Sequence, residues 1–255
     1  MQDRFAIISD IHSNLEALTE VLKEIDRRQH ETIYCLGDVV GYGPDPEACS
    51  DLVRSRCERT IRGNHDEALF SGAERFNPFA RSAIRFTRER LKPGILRGRV
   101  ATERWEWLRG LPMMFRRGQA IFVHGSPRDP VNEYVYQEDV YFNAEPKLQE
   151  IFSATEQIVF CGHTHVPVYI RSDLKTIVPT GECFEHQIEP EFKYIINCGS
   201  VGQPRDRDPR ACWVEVEGDT VRHHRVPYDF STTAGKIQKI ALLDEILGTR
   251  LSKGM

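Results

Sequence analysis

Short apolar runs alternate with stretches of helical periodicity along the first 160 positions of the chain. Five buried strands are predicted by the runs Phe5–Ile8, Thr32–Leu36, Arg59–Ile61, Ala120–Val123 and Gln157–Phe160. Between the first two runs, apolar residues at 15, 18, 21, 22 and 25 recur at helical spacing. Ser13 and Glu16 predict a capping box at the start of that helix. This order of elements favours an α/β fold.

Further helices are predicted at 46–56, 78–91, 102–110 and 137–153, the last interrupted or capped near Pro146. The turn GYGPDP at 41–46 puts Pro46 in the first turn of the helix that follows it. Residues 66–117 read as a helical insert, in which Pro93 and Gly94 separate two helices.

The pattern changes after position 165 to short alternating runs, which predict an antiparallel or mixed sheet. The runs are Val166–Ile170, Thr176–Val178, Tyr194–Asn197, Ala211–Val216 and Val221–Val226. A helix is predicted at 232–247, and the sequence has no internal repeat or low-complexity segment. A chain of 255 residues is long enough for one large domain or two small ones.

Composition narrows the functional classes. Apolar residues make up 40% and charged residues 28% of the chain, as in ordinary globular proteins. A net charge of -4 gives no reason to expect a stable nucleic-acid complex. The arginine-rich segment 75–117 is either an anion-attracting patch or, more commonly, a solvated helix face. No apolar run approaches membrane-spanning length, so we expect no membrane partner.

The cysteines indicate a reducing compartment. All seven are scattered without a CxxC pair, which favours free thiols over a disulfide framework. The residues after Met1 run directly into a predicted strand and show no signal-peptide pattern. We therefore expect a cytoplasmic protein.

A polar residue follows each of the five strands of the first half. These residues are Asp10, Asp38, Asn64, His124 and His163. In open α/β sheets the carboxyl ends of the strands form the edge where ligands bind. If the fifth strand continued through the motif CGHTHVP, its period of two would put His163 and His165 on one face.

The motifs at these strand ends are DIH (10–12), GD (37–38), GNHD (63–66), HG (124–125) and GHTH (162–165). Imidazole and carboxylate are ligands that suit Mn²⁺, iron and Zn²⁺, and seven or eight such groups exceed what one ion needs. A carboxylate can bridge two ions, so the set predicts a two-metal site of the kind that catalyses displacement at phosphorus. Singly, each motif has a structural alternative: Asp66 could cap a helix, and Gly162 could allow close packing.

The order DxH, GD, GNHD, H, GHxH closely resembles the calcineurin-like metallophosphoesterase superfamily, over residues 10–165. Residues 197–205, NCGSVGQPR, look like the segment that closes the site in bacterial members. The GYGPDP loop is similar to that of bacterial predicted phosphodiesterases related to diadenosine tetraphosphatases. The resemblance implies a four-layer α/β/β/α sandwich around a pair of mixed sheets, in one domain over 1–255.

The resemblance also implies the ligands of two divalent ions, most readily Mn, Fe or Zn. One ion takes Asp10, His12, Asp38 and His165, and the other takes Asp38, Asn64, His124 and His163. A hydroxide that bridges the two metals then attacks phosphorus. His65 is not needed as a ligand, and we expect it to protonate the leaving oxygen or, alternatively, to orient a ligand.

The second motif departs from the GDxVDRG pattern of serine/threonine protein phosphatases. Here it reads GDVVGYG, so Gly41 replaces the aspartate partner of the catalytic histidine and Tyr42 replaces the phosphate-binding arginine. A protein phosphatase is therefore disfavoured. Asn14 and Arg205 are the main candidates to contact substrate instead, with a helix cap and a surface role as alternatives. A substrate-facing Tyr42 suits stacking on a nucleoside or aryl group.

These features favour a phosphodiesterase acting on a small phosphate ester or nucleotide. The alternatives are a dinucleoside polyphosphate hydrolase, a phosphomonoesterase and, from another class, a non-catalytic metal-binding scaffold. A metal-dependent amidohydrolase is disfavoured because such enzymes open with HxH and use a barrel of eight βα units. The helical insert adjoins GNHD, and we expect it to form part of the substrate wall. The sequence leaves the oligomeric state open.

Overall fold

Two mixed six-stranded sheets form the centre of the computed structural model, which describes residues 4–94, 97–141 and 145–255. The first sheet has the order β3-β2-β1-β11-β12-β9. Its strands are β1 (Arg4–Ile8), β2 (Ile33–Cys35), β3 (Arg59–Thr60), β9 (Cys183–Gln187), β11 (Ala211–Glu217) and β12 (Thr220–Val226).

The second sheet has the order β4-β5-β6-β10-β7-β8. Its strands are β4 (Met114–Arg117), β5 (Ala120–Val123), β6 (Ile158–Cys161), β7 (Val168–Arg171), β8 (Thr176–Ile177) and β10 (Tyr194–Asn197). Each sheet contains one set of three parallel strands, β1, β2 and β3 in the first and β5, β6 and β10 in the second. The carboxyl ends of these two sets carry the polar motifs.

Eight α-helices lie in the described residues. They are α1 (Leu15–Arg27), α2 (Pro46–Arg56), α3 (Asn64–Ser71), α4 (Pro78–Leu91), α5 (Gly98–Arg109), α6 (Glu145–Ala154), α7 (Phe230–Ile237) and α8 (Ile246–Thr249). Two short 3-10 turns span Gln137–Val140 and Leu251–Lys253. Within the described ranges, every helix is too short or too polar to cross a lipid bilayer.

The alternation of side chains along the strands builds the predicted α/β/β/α sandwich. On β1, Ala6 and Ile8 face a core shared with α1, α2 and α5, whereas Phe5 and Ile7 face the second sheet. On β5, Phe122 packs in the same layer between the sheets, which is rich in aromatic rings. The opposite face of β5 packs against α6. The four-layer fold class is therefore confirmed.

Within the predicted helical insert at 66–117, the described residues form α3, α4 and α5, but the end of the segment is not helical. Residues 114–117 form β4 rather than a helix, because this segment pairs with β5 and stacks Phe115 on Phe122 at 4.4 Å. The helix predicted at 102–110 begins earlier, at Gly98. Of the predicted helix 137–153, the described residues form a 3-10 turn and α6, and residues 142–144 lie outside the described residues.

Two other predictions are wrong in the second half. Cys183–Gln187 forms an unpredicted edge strand, whose polar, alternately exposed residues hide its strand character. The helix predicted at 232–247 stops at Ile237, and the chain then turns before α8. This turn lets Leu243, Leu247 and Leu251 pack in a cluster with Tyr42.

Candidate metal centre

The ends of five parallel strands bring the predicted ligands together. Asp10 and His12 follow β1, Asp38 follows β2, and Asn64 begins α3 just after β3. His124 follows β5 directly, and His163 and His165 follow β6. All seven side chains are buried. The strand-end pattern in the sequence therefore marks residues that the fold gathers at one place.

The backbone is left-handed at five of these seven residues, which are Asp10, His12, Asp38, His163 and His165. Such conformations cost non-glycine residues on the order of 1–3 kcal/mol each and cluster at functional sites. The strand β6 ends at Cys161, so the period of two does not continue through the GHTH motif. Instead, the two histidines turn to different neighbours, His163 to His124 and His165 to His12.

In the first pair of imidazoles, two ring nitrogens point their lone pairs at each other. His12 Nδ1 lies 3.2 Å from the carbonyl oxygen of Val40, and His165 Nδ1 lies 2.6 Å from that of Gln203. A carbonyl oxygen only accepts, so both Nδ1 atoms carry the proton and both Nε2 atoms carry a lone pair. These Nε2 atoms are 3.0 Å apart. Asp10 Oδ1 lies 3.2 Å from His165 Nε2 and has no hydrogen-bond partner among the described residues.

The second pair repeats this arrangement. His124 Nδ1 donates to the carbonyl oxygen of Leu36 at 2.8 Å, and His163 Nε2 donates to that of Asn132 at 3.2 Å. The remaining ring nitrogens, His124 Nε2 and His163 Nδ1, face each other at 3.1 Å. Asn64 Oδ1 lies 3.2 Å from His124 Nε2. Each pair of facing nitrogens needs either a shared proton or a bound cation, because two lone pairs do not attract each other.

Asp38 stands between the two pairs. Its Oδ2 atom is 3.5 Å from His12 Nε2 and 3.5 Å from His124 Nε2, and its Oδ1 accepts from the backbone N–H of His65 at 2.8 Å. Two groups of ligand atoms each lie within 4.8 Å of one another. They are Asp10, His12, Asp38 and His165, and Asp38, His124 and His163. These groups coincide with the two sets implied by the resemblance, with Asn64 beside the second.

The ionisation of the aspartates and histidines at the centre favours the binding of cations. Burial would raise the pKa of Asp38, but His124, His65 and the other imidazoles hold it well below the usual range. Burial lowers the pKa of His163 to about 3. Burial also disfavours charge on His124, yet Asp38 outweighs it and raises the pKa of His124 to about 9. The carboxylates are therefore ionised ligands, and a bound metal would displace a proton from the imidazoles.

Asp66 ties two of the metal-binding turns together. Its carboxylate accepts from the backbone N–H of Gly63 at 3.0 Å, which caps α3, and also from those of Val39 and Val40 at 3.4 and 3.3 Å. The capping role suggested by the sequence is therefore only part of its function. Gly162 is needed for close packing, because a side chain there would collide with Ser9 and with Asp10 Oδ2.

His65 lies beside the first imidazole pair. Its ring is 4.8 Å from that of His12 and 4.4 Å from that of Tyr42, and burial lowers its pKa to about 4. Its Nδ1 has no hydrogen-bond partner among the described residues. A side chain at Gly41 would collide with this Nδ1 atom, so the missing aspartate of the protein phosphatases corresponds to a missing partner of His65.

Asn14 has structural duties that its position in the sequence suggests. Its Oδ1 accepts from the backbone N–H of Ala17 at 3.1 Å, so Asn14 caps α1 and the predicted Ser13–Glu16 capping box is wrong. Its Nδ2 donates to the carbonyl oxygen of Gly202 at 2.8 Å. A substrate contact of Asn14 stays a prediction.

Tyr42 is surrounded rather than exposed. Only 7% of its surface is accessible, and its ring packs against His12 and His65. The guanidinium carbons of Arg205 and Arg250 lie 5.8 and 4.8 Å from its ring centroid. The ring therefore offers little free surface for stacking, and its contact with substrate stays a prediction, as does that of Arg205.

Three residues near the centre were not predicted. Arg250 approaches through the fold of the last described segment, and its Nε and Nη2 atoms are buried without a hydrogen-bond partner among the described residues. Tyr134 stacks on His163, and Tyr136 stacks on Tyr134. None of the three belongs to a motif, and the only sequence signal is the aromatic spacing of YVY at 134–136.

The fold and this cluster are those expected of one class of protein, a metallophosphoesterase with a candidate metal site at the carboxyl edges of two mixed sheets. The model of the calcineurin-like phosphoesterase superfamily domain matches residues 4–219. The chain therefore belongs to the calcineurin-like phosphoesterase superfamily. The family is metal-dependent, and the clustered aspartates and histidines fit that requirement.

Two relatives match over the whole chain, and a third matches over part of it. An uncharacterized protein of Methanocaldococcus jannaschii is 33% identical and covers 100% of this chain and 99% of its own length. The crystal structure of a metallophosphoesterase from Sphaerobacter thermophilus has 38% identity and a TM-score of 0.84, with 100% of both chains covered. A symmetrical bis(5'-nucleosyl)-tetraphosphatase of Yersinia enterocolitica is 32% identical over 114 residues, which cover 42% of this chain and 36% of that protein.

Proposed function

We propose that this chain is a binuclear metal-dependent phosphoesterase, and that its reaction is the hydrolysis of phosphodiesters. The observation that carries the proposal is the pair of facing imidazole contacts, at 3.0 and 3.1 Å, which share Asp38 Oδ2 as a neighbour. One cation per pair would satisfy the lone pairs of both. Imidazole and carboxylate donors favour Mn, Fe or Zn.

Two bound divalent ions would lower the pKa of water and neutralise phosphate oxygens. The residues of the chain supply the rest of the chemistry. Asp38 would hold both ions at a fixed separation, because its other oxygen is anchored by the backbone of His65. His65 would deliver a proton to the leaving oxygen, and Arg205 would bind the phosphate from the side of Tyr42.

A diester has an organic group on each side of phosphorus, and aromatic side chains flank the centre on two sides. Tyr134 stacks on His163 of the second ligand set at 3.7 Å. Phe76 lies 5.0 Å from His65, which adjoins the first set. Phe76 comes from the segment between α3 and α4, so it supports the proposed role of the helical insert as a substrate wall.

A dinucleoside polyphosphate hydrolase is the second candidate. Arg205 and Arg250 add two guanidinium groups around Tyr42, which suits a substrate with more phosphates than the metal centre alone can neutralise. The local similarity to a symmetrical bis(5'-nucleosyl)-tetraphosphatase points the same way.

The test is a substrate panel on metal-reconstituted protein, with elemental analysis of the same sample. The panel contains monoesters, diesters, cyclic nucleotides, dinucleoside polyphosphates and phosphopeptides. We expect two equivalents of metal and the highest kcat/KM on a diester. The highest kcat/KM on dinucleoside polyphosphates would instead select the second candidate. Activity on monoesters alone, or full metal with no hydrolysis, would overturn the proposal.

The role of His65 is tested separately by His65→Gln. A proton donor matters most when the leaving oxygen is basic, so turnover of alkyl esters should fall by about 10²-fold or more and that of nitrophenyl esters far less. Equal losses on both ester types would assign His65 to orienting the ligands instead.

The setting proposed for this reaction is the cytoplasm, with a small phosphate ester or nucleotide as the substrate. All seven cysteines are free, and five of them are buried, which suits a reducing compartment. The net charge of -4 supports a small-molecule substrate rather than a nucleic-acid complex. A nuclease assay on long single- and double-stranded substrates checks this proposal and should show no hydrolysis.

A further inference from the structure

Two tyrosines form a stacked pair on the surface next to the second ligand set. The rings of Tyr134 and Tyr136 are parallel, with 3° between their planes and 5.4 Å between their centroids. Both remain substantially exposed, at 39% and 44%. Scattered exposed aromatic residues are common, but parallel rings on one patch form a continuous π surface.

The pair is attached to the proposed metal centre. Tyr134 lies almost face to face with His163, at 3.7 Å and 21°. The same segment holds His163 through the carbonyl oxygen of Asn132. The pair therefore stands at a fixed place beside the site where phosphorus would be attacked, and its outer ring is open to solvent.

Arg205 contributes a positive charge beside Tyr42 that also acts on the tyrosine pair. Burial raises the pKa of Tyr134 to about 12 and also raises that of Tyr136, and in both cases the positive charge of Arg205 acts in the opposite direction. The guanidinium of Arg205 is thus within electrostatic reach of both phenols as well as 5.8 Å from the Tyr42 ring. A ligand on the tyrosine pair would find a phosphate-binding group beside it.

The tyrosine pair is better suited to stacking than Tyr42. Tyr42 is buried against His12 and His65, so its ring offers little surface to a base. An uncharged planar group fits between aromatic rings and a guanidinium, whereas a plain alkyl group would gain little from this geometry. A planar group joined to phosphate is the chemistry of a nucleotide.

We propose that Tyr134 and Tyr136 form a nucleobase platform, which makes the substrate a nucleotide derivative whose base stacks on Tyr136 while its phosphates extend past Arg205 to the metal centre. This inference rests on the proposed function, since it names the substrate class of the same site. Tyr136 is the specificity-determining residue, because Tyr134 is partly used in packing against His163.

The test compares two non-hydrolysable probes that differ only in the nucleoside. Adenosine 5'-(α,β-methylene)diphosphate carries a base, and methylenediphosphonate does not. Their Kd values are measured by calorimetry on metal-loaded wild type, Tyr136→Ala, Tyr136→Phe and the matched control Tyr141→Ala, which removes a 71% exposed tyrosine outside the stack. Metal content and circular dichroism check that each variant is folded and loaded.

We expect Tyr136→Ala to weaken the adenosine probe by about tenfold, Tyr136→Phe and Tyr141→Ala to leave it within about twofold, and no variant to change the bare diphosphonate. Equal affinity of wild type and Tyr136→Ala for the adenosine probe would overturn the platform, as would no binding at all. Because binding is measured without turnover, a protein that hydrolyses no ester but shows the expected pattern would refute the proposed function and leave the platform standing.

Discussion

Two groups of buried histidines in this protein are satisfied in opposite ways. At the metal centre, the ring nitrogens of His12 and His165 point lone pair to lone pair at 3.0 Å. Around β11 and β12, Glu215 accepts from His30 at 2.9 Å and from His224 at 2.8 Å. His223 donates to the carbonyl oxygen of Asn197 at 2.9 Å and accepts from the hydroxyl of Tyr169 at 3.0 Å.

The comparison teaches what distinguishes a ligand from a structural histidine at equal burial. A structural histidine finds a donor or acceptor of the opposite kind within the protein. A ligand histidine has one nitrogen fixed by a carbonyl oxygen and presents the other to a second lone pair, which only a cation or proton can satisfy. The position in the sequence agrees, since His223 and His224 lie within a strand and the ligands follow strand ends.

The largest expected effect comes from Asp38→Asn, which removes the carboxylate that the two proposed ligand sets share. An amide offers one neutral oxygen in place of the shared carboxylate, so metal content should fall to one equivalent or less and kcat/KM should fall by at least about 10²-fold. The matched control is Glu215→Gln, which also removes one buried carboxylate but should keep both metals and full activity. Two equivalents of metal in Asp38→Asn would contradict the bridging role.

Glu215→Gln itself should destabilise the group of structural histidines around β11 and β12. The carboxylate accepts from two imidazoles, and an amide cannot accept from both, so the free energy of unfolding should fall by about 2–3 kcal/mol. Urea denaturation at pH 7 measures this loss. A loss below about 0.5 kcal/mol would mean that the cluster tolerates an unpaired imidazole nitrogen.

Acid should lower the stability of the folded protein through the buried His223. Burial lowers its pKa to about 3, whereas the unfolded chain titrates near about 6.5. Below that pH the unfolded state binds a proton that the folded state does not, so stability falls as the pH drops, by about 2 kcal/mol between pH 6.5 and 5. His223→Gln lacks this contribution, and the two stability curves should converge with falling pH. Parallel curves would show that the pKa of His223 is not lowered in the folded state.

The smallest expected effect is that of Asn14→Ala. Asn14 adjoins the ligands, yet its side chain caps α1 and contacts Gly202. Asn14→Ala should therefore cost about 1 kcal/mol of unfolding free energy and leave KM within about twofold. A rise in KM of tenfold or more, with stability unchanged, would assign the side chain to substrate binding.

Sequence alone could predict most of the residues that the fold gathers at the candidate metal centre, because a polar residue after an apolar strand leaves a local pattern. Asp10, Asp38 and His163 are found in this way, and the division into two ligand sets comes from the family resemblance. The facing lone pairs depend on carbonyl groups such as that of Gln203, distant in the chain, which no pattern around His165 reveals.

The features that were missed are of two physical kinds. Arg250 and Tyr136 reach the centre through tertiary packing, which depends on turns that carry no periodic signal. The strand β9 and the end of the helix predicted at 232–247 were decided by pairing with β12 and by the packing of Leu243 and Leu247, which overrode local preference.

Each proposed ion would draw its ligands from both sheets, and the two imidazoles of the first pair are separated by 153 positions in the chain. Bound metal would thus connect the two sheets and close a long loop of the chain, as a covalent cross-link does. The free energy of unfolding would rise by about 4–5 kcal/mol. Without metal, the two sheets are held together by the apolar layer between them, which includes Phe5, Phe122 and Phe160, and by hydrogen bonds such as that from the backbone N–H of His163 to Asp10 Oδ2. Metal starvation is therefore expected to expose part of this aromatic layer, so that the loss of activity is followed by aggregation.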